Sequence, residues 1–137
     1  MQYVVRLTLA LLACVAGALA QAAEKHEEMS FPDIGQKDLM AAIQEKKVIL
    51  LDCCGTESYK AGHLPGALDF AAVEKELAKK LPSDKGALIV SYCFNEHCPL
   101  YQKGAKAAKD LGYTNVKHFP AGIEGWKKAG ERTETAG

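Results

Sequence analysis

Two short, unbroken hydrophobic runs set the limits on what this chain can fold into. Lys47-Val48-Ile49-Leu50-Leu51-Asp52 and Ala87-Leu88-Ile89-Val90-Ser91-Tyr92 lack the alternation of a half-solvated strand. A strand that is apolar at successive positions is buried on both faces, and sheets of that kind are parallel and joined by helical crossovers. Each run also ends at chemistry: Asp52-Cys53-Cys54 follows the first and Cys93 follows the second. In open parallel sheets, ligands bind beyond the C-terminal ends of the strands. Both cysteine clusters fall there.

The remaining segments read as the crossovers. Leu39, Met40 and Ile43 lie at helical spacing within Gly35 to Lys46, with Asp38 near the start. Glu57 to Ala61 predicts one helical turn, and Gly62-His63-Leu64-Pro65-Gly66-Ala67 is a turn cluster. Leu68 to Phe70 predicts a short strand. Ala71 to Leu81 predicts an amphipathic helix with Val73, Leu77 and Leu81 on one face, stopped near Pro82. Pro99 to Leu111 predicts a helix with Pro99 in its first turn and Gly112 past its end. Asn115 to Phe119 predicts the last strand. Pro120-Ala121-Gly122 turns into a short helix holding Ile123 and Trp126, and residues 131–137 form a polar tail. This alternation predicts one α/β domain, a three-layer sandwich around a parallel sheet.

The stretch from Leu88 to Pro99 is the chemical centre of this plan. A buried strand delivers Cys93 to a polar loop, Phe94-Asn95-Glu96-His97-Cys98, and then to a helix start. A helix N-terminus carries unpaired N–H groups and partial positive charge, which favour the thiolate form of a cysteine held nearby. The formal net charge is +0 and the basic residues are not clustered. That balance points away from nucleic acid and from anionic membrane surfaces.

The N-terminus has its own signature. Met1 to Arg6 carries one cation, and Leu7 to Ala20 is apolar and rich in Leu and Ala. Ala18-Leu19-Ala20 and Ala20-Gln21-Ala22 are small-x-small cleavage sites. Residues 1–22 therefore read as a secretory signal peptide, too short in its apolar part to span a bilayer comfortably. Residues 23–30 read as a flexible leader. The expected location is periplasmic or secreted, with no membrane association after cleavage. Leu11-Leu12-Ala13-Cys14 also matches a bacterial lipoprotein box, which makes lipidation at Cys14 the alternative. Without Cys14, the cysteines left are Cys53, Cys54, Cys93 and Cys98. An even number in an exported chain invites pairing.

Four segments together resemble the rhodanese-like domain family. Leu50-Leu51-Asp52, then Glu57-Ser58-Tyr59 and Gly62-His63-Leu64-Pro65-Gly66-Ala67, resemble its first signature. Val90-Ser91-Tyr92-Cys93 resembles the strand bearing its active-site cysteine. Leu111-Gly112-Tyr113-Thr114-Asn115-Val116 and the stretch Ala121-Gly122-Ile123-Glu124-Gly125-Trp126 running on to Gly130 resemble its C-terminal signature. The resemblance spans residues 31–130. It implies a five-stranded parallel sheet and sulfurtransferase-type chemistry, in which Cys93 takes a sulfane sulfur as a persulfide and passes it to a thiophilic acceptor. It also implies that backbone N–H groups of Phe94, Asn95, Glu96, His97 and Cys98 cradle the anionic sulfur. The implied partners are small sulfur donors and thiol acceptors or a partner protein thiol. No cofactor is implied.

The loop departs from the family pattern. Family members active as sulfurtransferases usually carry Arg or Lys, Gly, and a further Arg, Ser or Thr in this loop. Here it holds neither arginine nor glycine, and beyond the signal segment Arg132 is the only arginine in the chain. A bidentate arginine clamp on thiosulfate is thus missing from the loop. Glu96 disfavours an anionic donor, and His97 offsets it only when protonated. The family's Asp-x-Arg becomes Asp52-Cys53-Cys54. Cysteine phosphatases need an arginine six positions after the nucleophile, and that position is Pro99.

Cys98 and Cys54 are the candidate resolving or acceptor thiols. Asp52 and His63 read as structural supports that brace neighbouring loops. Convergence of Cys54, Cys93 and Cys98 with His97 would supply zinc or copper(I) ligands. There is no Cys-x-x-Cys pair, however, and adjacent Cys53 and Cys54 diverge on a strand, so no metal is expected. Cys53 reads as inert, Trp126 as core, and His26 and His118 as surface or strand residues without partners visible in sequence. Two further functions stay open: a thiol–disulfide oxidoreductase or redox sensor using Cys93 and Cys98, and a catalytically silent binding module.

Overall fold

The computed structural model describes residues 29–137. The signal segment, Cys14, His26 and most of the leader lie outside the described residues. In chain order the elements are α1 (Gln36–Gln44), β1 (Ile49–Asp52), α2 (Thr56–Ala61), β2 (Leu68–Asp69), α3 (Phe70–Val73), a 3₁₀ turn (Glu74–Glu76), α4 (Leu77–Lys80), β3 (Ile89–Tyr92), α5 (Tyr101–Asp110), β4 (Val116–His118) and α6 (Gly122–Lys128). Among the described residues, no helix is long and apolar enough to cross a membrane.

The strands form one parallel sheet in the order β2-β1-β3-β4. The two unbroken hydrophobic runs are its central pair, registered Ile49 to Ile89 and Asp52 to Tyr92. The alternation of side chains across the sheet divides the core in two. Leu51, Ile89 and Cys53 pack with Phe70, Leu77, Ala105 and Ala108 on one face. Leu50, Val90 and Tyr92 pack with Leu39, Leu64, Phe119, Ile123 and Trp126 on the other. Helices cover both faces, as continuous apolar strands require.

Among the described residues the sheet has four strands, where the family resemblance implied five. At the β4 edge, the place of a fifth strand is taken by a single parallel bridge, Asp33 to His118. Two backbone bonds make it: His118 N–H to Pro32 O at 2.9 Å and Ile34 N–H to His118 O at 2.8 Å. Pro32 has no N–H to extend the ladder. The amphipathic segment Ala71–Leu81 is also not one helix. It breaks into α3, the 3₁₀ turn and α4, because the central Glu74–Glu76 turn buries no side chain that would hold a continuous helix on the sheet.

Helix α5 approaches the sheet closely through small residues. Ala105 and Ala108 are fully buried, and a Cβ at Gly104 would lie 2.7 Å from Cys53 Sγ and 2.9 Å from Ser91 Oγ. The C-terminal segment is anchored, not loose. Glu134 exchanges backbone hydrogen bonds with His63, both at 2.9 Å, and Trp126 Nε1–H donates to Arg132 O at 2.8 Å.

Candidate active site at the strand ends

The C-terminal ends of β1 and β3 lie side by side, so Asp52-Cys53-Cys54 and Tyr92-Cys93 meet at one edge of the sheet. Cys53 N–H donates to Tyr92 O at 2.9 Å, extending the ladder by one residue. Beyond it the chains diverge, β1 into α2 and β3 into the loop 94–100.

Cys93 is bonded to Cys98, with Cα atoms 6.1 Å apart. The disulfide closes the loop Phe94–His97 against the sheet. Helix α5 starts at Tyr101, two residues later than the sequence pattern predicts, so Cys98, Pro99 and Leu100 lead into it. The two residues differ in exposure. Cys93 is 1% exposed and Cys98 is half-buried.

Within the loop, Asn95 organises the backbone. Its Oδ1 accepts the His97 N–H at 3.0 Å, and its carbonyl accepts the Cys98 N–H at 3.2 Å. In this closed form, two of the five N–H groups assigned to an anion cradle are therefore turned onto Asn95. Asn95 Nδ2 also donates to Glu124 Oε2 at 3.2 Å. Glu96 and His97 are exposed and face each other at 3.4 Å.

The start of α6 fixes the loop's other edge. Ile123 N–H donates to Cys93 O and Glu124 N–H to Phe94 O, both at 3.0 Å. Gly122 makes this approach possible. Its φ is +62°, and a Cβ there would lie 2.5 Å from Cys93 O and 2.6 Å from Phe94. An open cavity of about 390 Å³ lies between Asn95, Glu96 and His97 on the loop and Glu124 and Lys128 on α6.

Cys53 and Cys54 point to opposite faces. Cys53 belongs to the α5-side core, with Sγ 3.3 Å from Ser91 Oγ. Ser91 O–H donates to Tyr101 O at 2.7 Å, which ties β3 to the start of α5. Burial pushes the Cys53 thiol up to about 11, against a smaller lowering by the Ser91 hydrogen bond. Cys54 is half-buried and borders the other core. Burial, reinforced by the Asp52 charge, raises its pKa too and keeps it a thiol. A smaller cavity of about 200 Å³ borders both residues, with Leu100 and Lys103 on its far side.

Asp52 is fully buried. Its Oδ1 accepts the Cys54 N–H at 2.8 Å, and its Oδ2 accepts the Tyr92 O–H at 2.6 Å. The Tyr92 oxygen in turn accepts the Leu64 N–H at 3.0 Å. Asp52 thus spans from the cysteine turn to the Gly62–Ala67 turn. His63 is buried at the far side of that turn, stacked on Tyr59 at 3.7 Å, with Nδ1 2.7 Å from Tyr59 O.

His118 is a strand residue whose partners the sequence does not show: it is buried at the end of β4, stacked on Tyr101 at 3.4 Å, with Nδ1 3.4 Å from Asp33 Oδ1. Those partners are distant in sequence, so no local pattern announces them. Ser91, Tyr92 and Gly122 also position the site without having been singled out. Only Gly122 carried a visible signal, since it follows a proline turn directly before a helix. Among the described residues, no group of three or more His, Cys, Asp or Glu side chains is placed to hold a metal ion.

Comparison with known proteins gives a consistent picture. The family described as Rhodanese-like domain matches residues 35–129. An HTH-type transcriptional regulator of Mycobacterium tuberculosis is 33% identical over 98 residues, which is 71% of this chain and 42% of the regulator. The chain thus spans about two-fifths of the length of that curated relative. A Bacillus halodurans protein of solved structure is 26% identical, with a TM-score of 0.65 and 77% of each chain covered. A thiosulfate sulfurtransferase from Pseudomonas aeruginosa superimposes with a TM-score of 0.60 at 18% identity, covering 78% of this chain and 21% of that one.

Proposed function

The chain belongs to the rhodanese-like domain family, and on that premise we propose that it is an exported protein handling sulfane sulfur through Cys93, with Cys98 as its resolving thiol. The observation that carries this reading is the Cys93–Cys98 bond at the C-terminal end of β3. In the reduced protein, the Cys93 thiolate attacks the outer sulfur of a sulfane donor such as thiosulfate or a polysulfide. The donor's S–S bond breaks, and sulfite or a shortened polysulfide leaves with the electron pair. The Cys98 thiol then attacks Cys93 Sγ. The outer sulfur departs as hydrosulfide with the electron pair and the Cys98 proton, and the disulfide remains.

The loop's charge bears on the donor. Glu96 and Glu124 stand beside it with Lys128 and His97, so no uncompensated cationic clamp awaits a dianion. Persulfidated thiols, which carry a single negative charge on the sulfur chain, suit this surface better than dianionic thiosulfate. The pattern of residues 1–22 supports export, and an oxidising compartment would favour formation of the disulfide.

The test incubates reduced Cys98→Ser protein with thiosulfate or polysulfide and locates any added mass. One sulfur atom on Cys93 is the expected result. No gain from any sulfane donor overturns the reading. The bond itself also favours a second reading, a thiol–disulfide oxidoreductase using the same pair. Hydrosulfide separates the two: sulfur transfer releases one per disulfide formed, whereas thiol–disulfide exchange releases none.

A further inference from the structure

We infer that an external thiol reopening this disulfide attacks Cys98, so that a transient mixed disulfide forms on Cys98 and Cys93 is released as the buried thiolate. The inference rests on the reading that the Cys93–Cys98 pair cycles between closed and open forms. Thiol–disulfide exchange proceeds by attack on one sulfur in line with the departing one, so access to each sulfur decides the direction. Cys93 is 1% exposed. Its Sγ lies 3.8 Å from Cys53 O, and its own carbonyl is held by the Ile123 N–H at 3.0 Å. Strand, cysteine turn and α6 therefore close around it. Cys98 is half-buried, and its nearest anchor is the Asn95 carbonyl within the same loop. Glu96, His97, Pro99 and Leu100 around it are all exposed.

The chemistry assigns different tasks to the two sulfurs. An incoming thiolate forms a bond to Cys98 Sγ as the Cys98–Cys93 bond breaks, and the electron pair leaves on Cys93. A second thiolate then attacks the external sulfur of the mixed disulfide and frees Cys98. Two equivalents of monothiol, or one dithiol, supply both electrons. The sulfur nominated for sulfane chemistry is thus not the one that meets the reductant. Reopening delivers Cys93 in the reduced form that a new donor needs. A step consuming thiols must therefore follow each turnover that ends in the disulfide.

Glu96 lies between the two cysteines in sequence, so cleavage after glutamate separates them into different peptides. Oxidised full-length protein is treated briefly with glutathione, quenched with iodoacetamide, digested after glutamate and mapped by mass. Glutathione on the Cys98 peptide and carbamidomethyl on the Cys93 peptide is the expected result, with at least a tenfold excess over the reverse pattern. Equal labelling, or glutathione mainly on Cys93, overturns the inference. Denatured protein should lose the bias, which shows that the fold imposes it. The Cys98 adduct does not depend on any sulfane donor, so failure of sulfur transfer and failure of this inference are read separately.

Discussion

The phenol of Tyr92 donates to Asp52 Oδ2 at 2.6 Å, and both residues are 0% exposed. The contact joins neighbouring strands just beneath the disulfide. It also satisfies a carboxylate that has no access to water. Tyr92→Phe leaves Asp52 Oδ2 and the Leu64 N–H short of a partner in the interior. Deleting one partner of a buried, charged hydrogen bond costs roughly 1.5–3 kcal/mol. Denaturant unfolding of the variant should show a loss of that size, whereas a change below about 0.5 kcal/mol would remove this pair from the supports of the fold.

The same pair sets an alkaline limit. Burial, with the Asp52 charge next, raises the Tyr92 phenol pKa, so the fold keeps a proton that the unfolded chain releases above about pH 10. Above that pH the native state holds more protons than the unfolded state, so stability falls as pH rises further. Tyr92→Phe should flatten this decline in a series of melting curves.

The two unpaired cysteines among the described residues, Cys53 and Cys54, should be quiet. A thiol moved from 9.0 to about 11 has about a hundredfold less thiolate at mildly alkaline pH. Cys54 is shifted in the same direction. Iodoacetamide on native, reduced protein should label Cys53 about a hundredfold more slowly than denatured protein, with Cys54 slowed as well. Rapid native labelling of Cys54 would instead make it a working acceptor thiol.

Gly104→Ala should reverse the usual helix rule. In an open helix interior the change stabilises by about 1 kcal/mol. In α5 the new methyl would meet Cys53 Sγ at 2.7 Å and Ser91 Oγ at 2.9 Å, and overpacking costs about 1–3 kcal/mol. Net destabilisation is expected, and Cys53→Ala should recover part of it in a double-mutant cycle. Additive effects would mean that α5 yields elsewhere.

His118 gives the acid limit. Burial lowers its pKa, opposed by the nearby Asp33 charge. The unfolded chain then takes up a proton, near pH 6.5 and below, that the native state resists. Stability is therefore full above that range and falls as pH drops through it. Melting temperatures measured down this range should decline less in His118→Phe, which keeps the stacking partner for Tyr101 but cannot titrate.

Much of this architecture could be read from the chain because its strongest signals are physical. Unbroken apolar runs leave no solvated face, so the central parallel pair and its covering helices follow from Lys47–Asp52 and Ala87–Tyr92. The outer features were less legible. A fifth strand came from family resemblance alone, and Pro32 limits that edge to one bridge. The helical spacing of Ala71–Leu81 is real, but Glu74–Glu76 has nothing to bury. At the site, the order of residues placed Cys93 at a strand end, but the spacing to Cys98 left the bond between them undecided. The Asp33–His118 contact depends on two ends of the domain meeting at β4, which no local pattern encodes.

The clamp between the disulfide loop and α6 has an evolutionary consequence. Ile123 and Glu124 hold the loop by N–H groups, and Cys93 and Phe94 receive them by carbonyls, which every residue type possesses. Besides Cys98 with its disulfide, Asn95 is the loop side chain tied into that frame. Positions 94, 96 and 97 are thus free to drift while the sulfur beneath keeps its place. Selection can rewrite donor preference there one codon at a time, and grafting an arginine into the loop asks little of the scaffold.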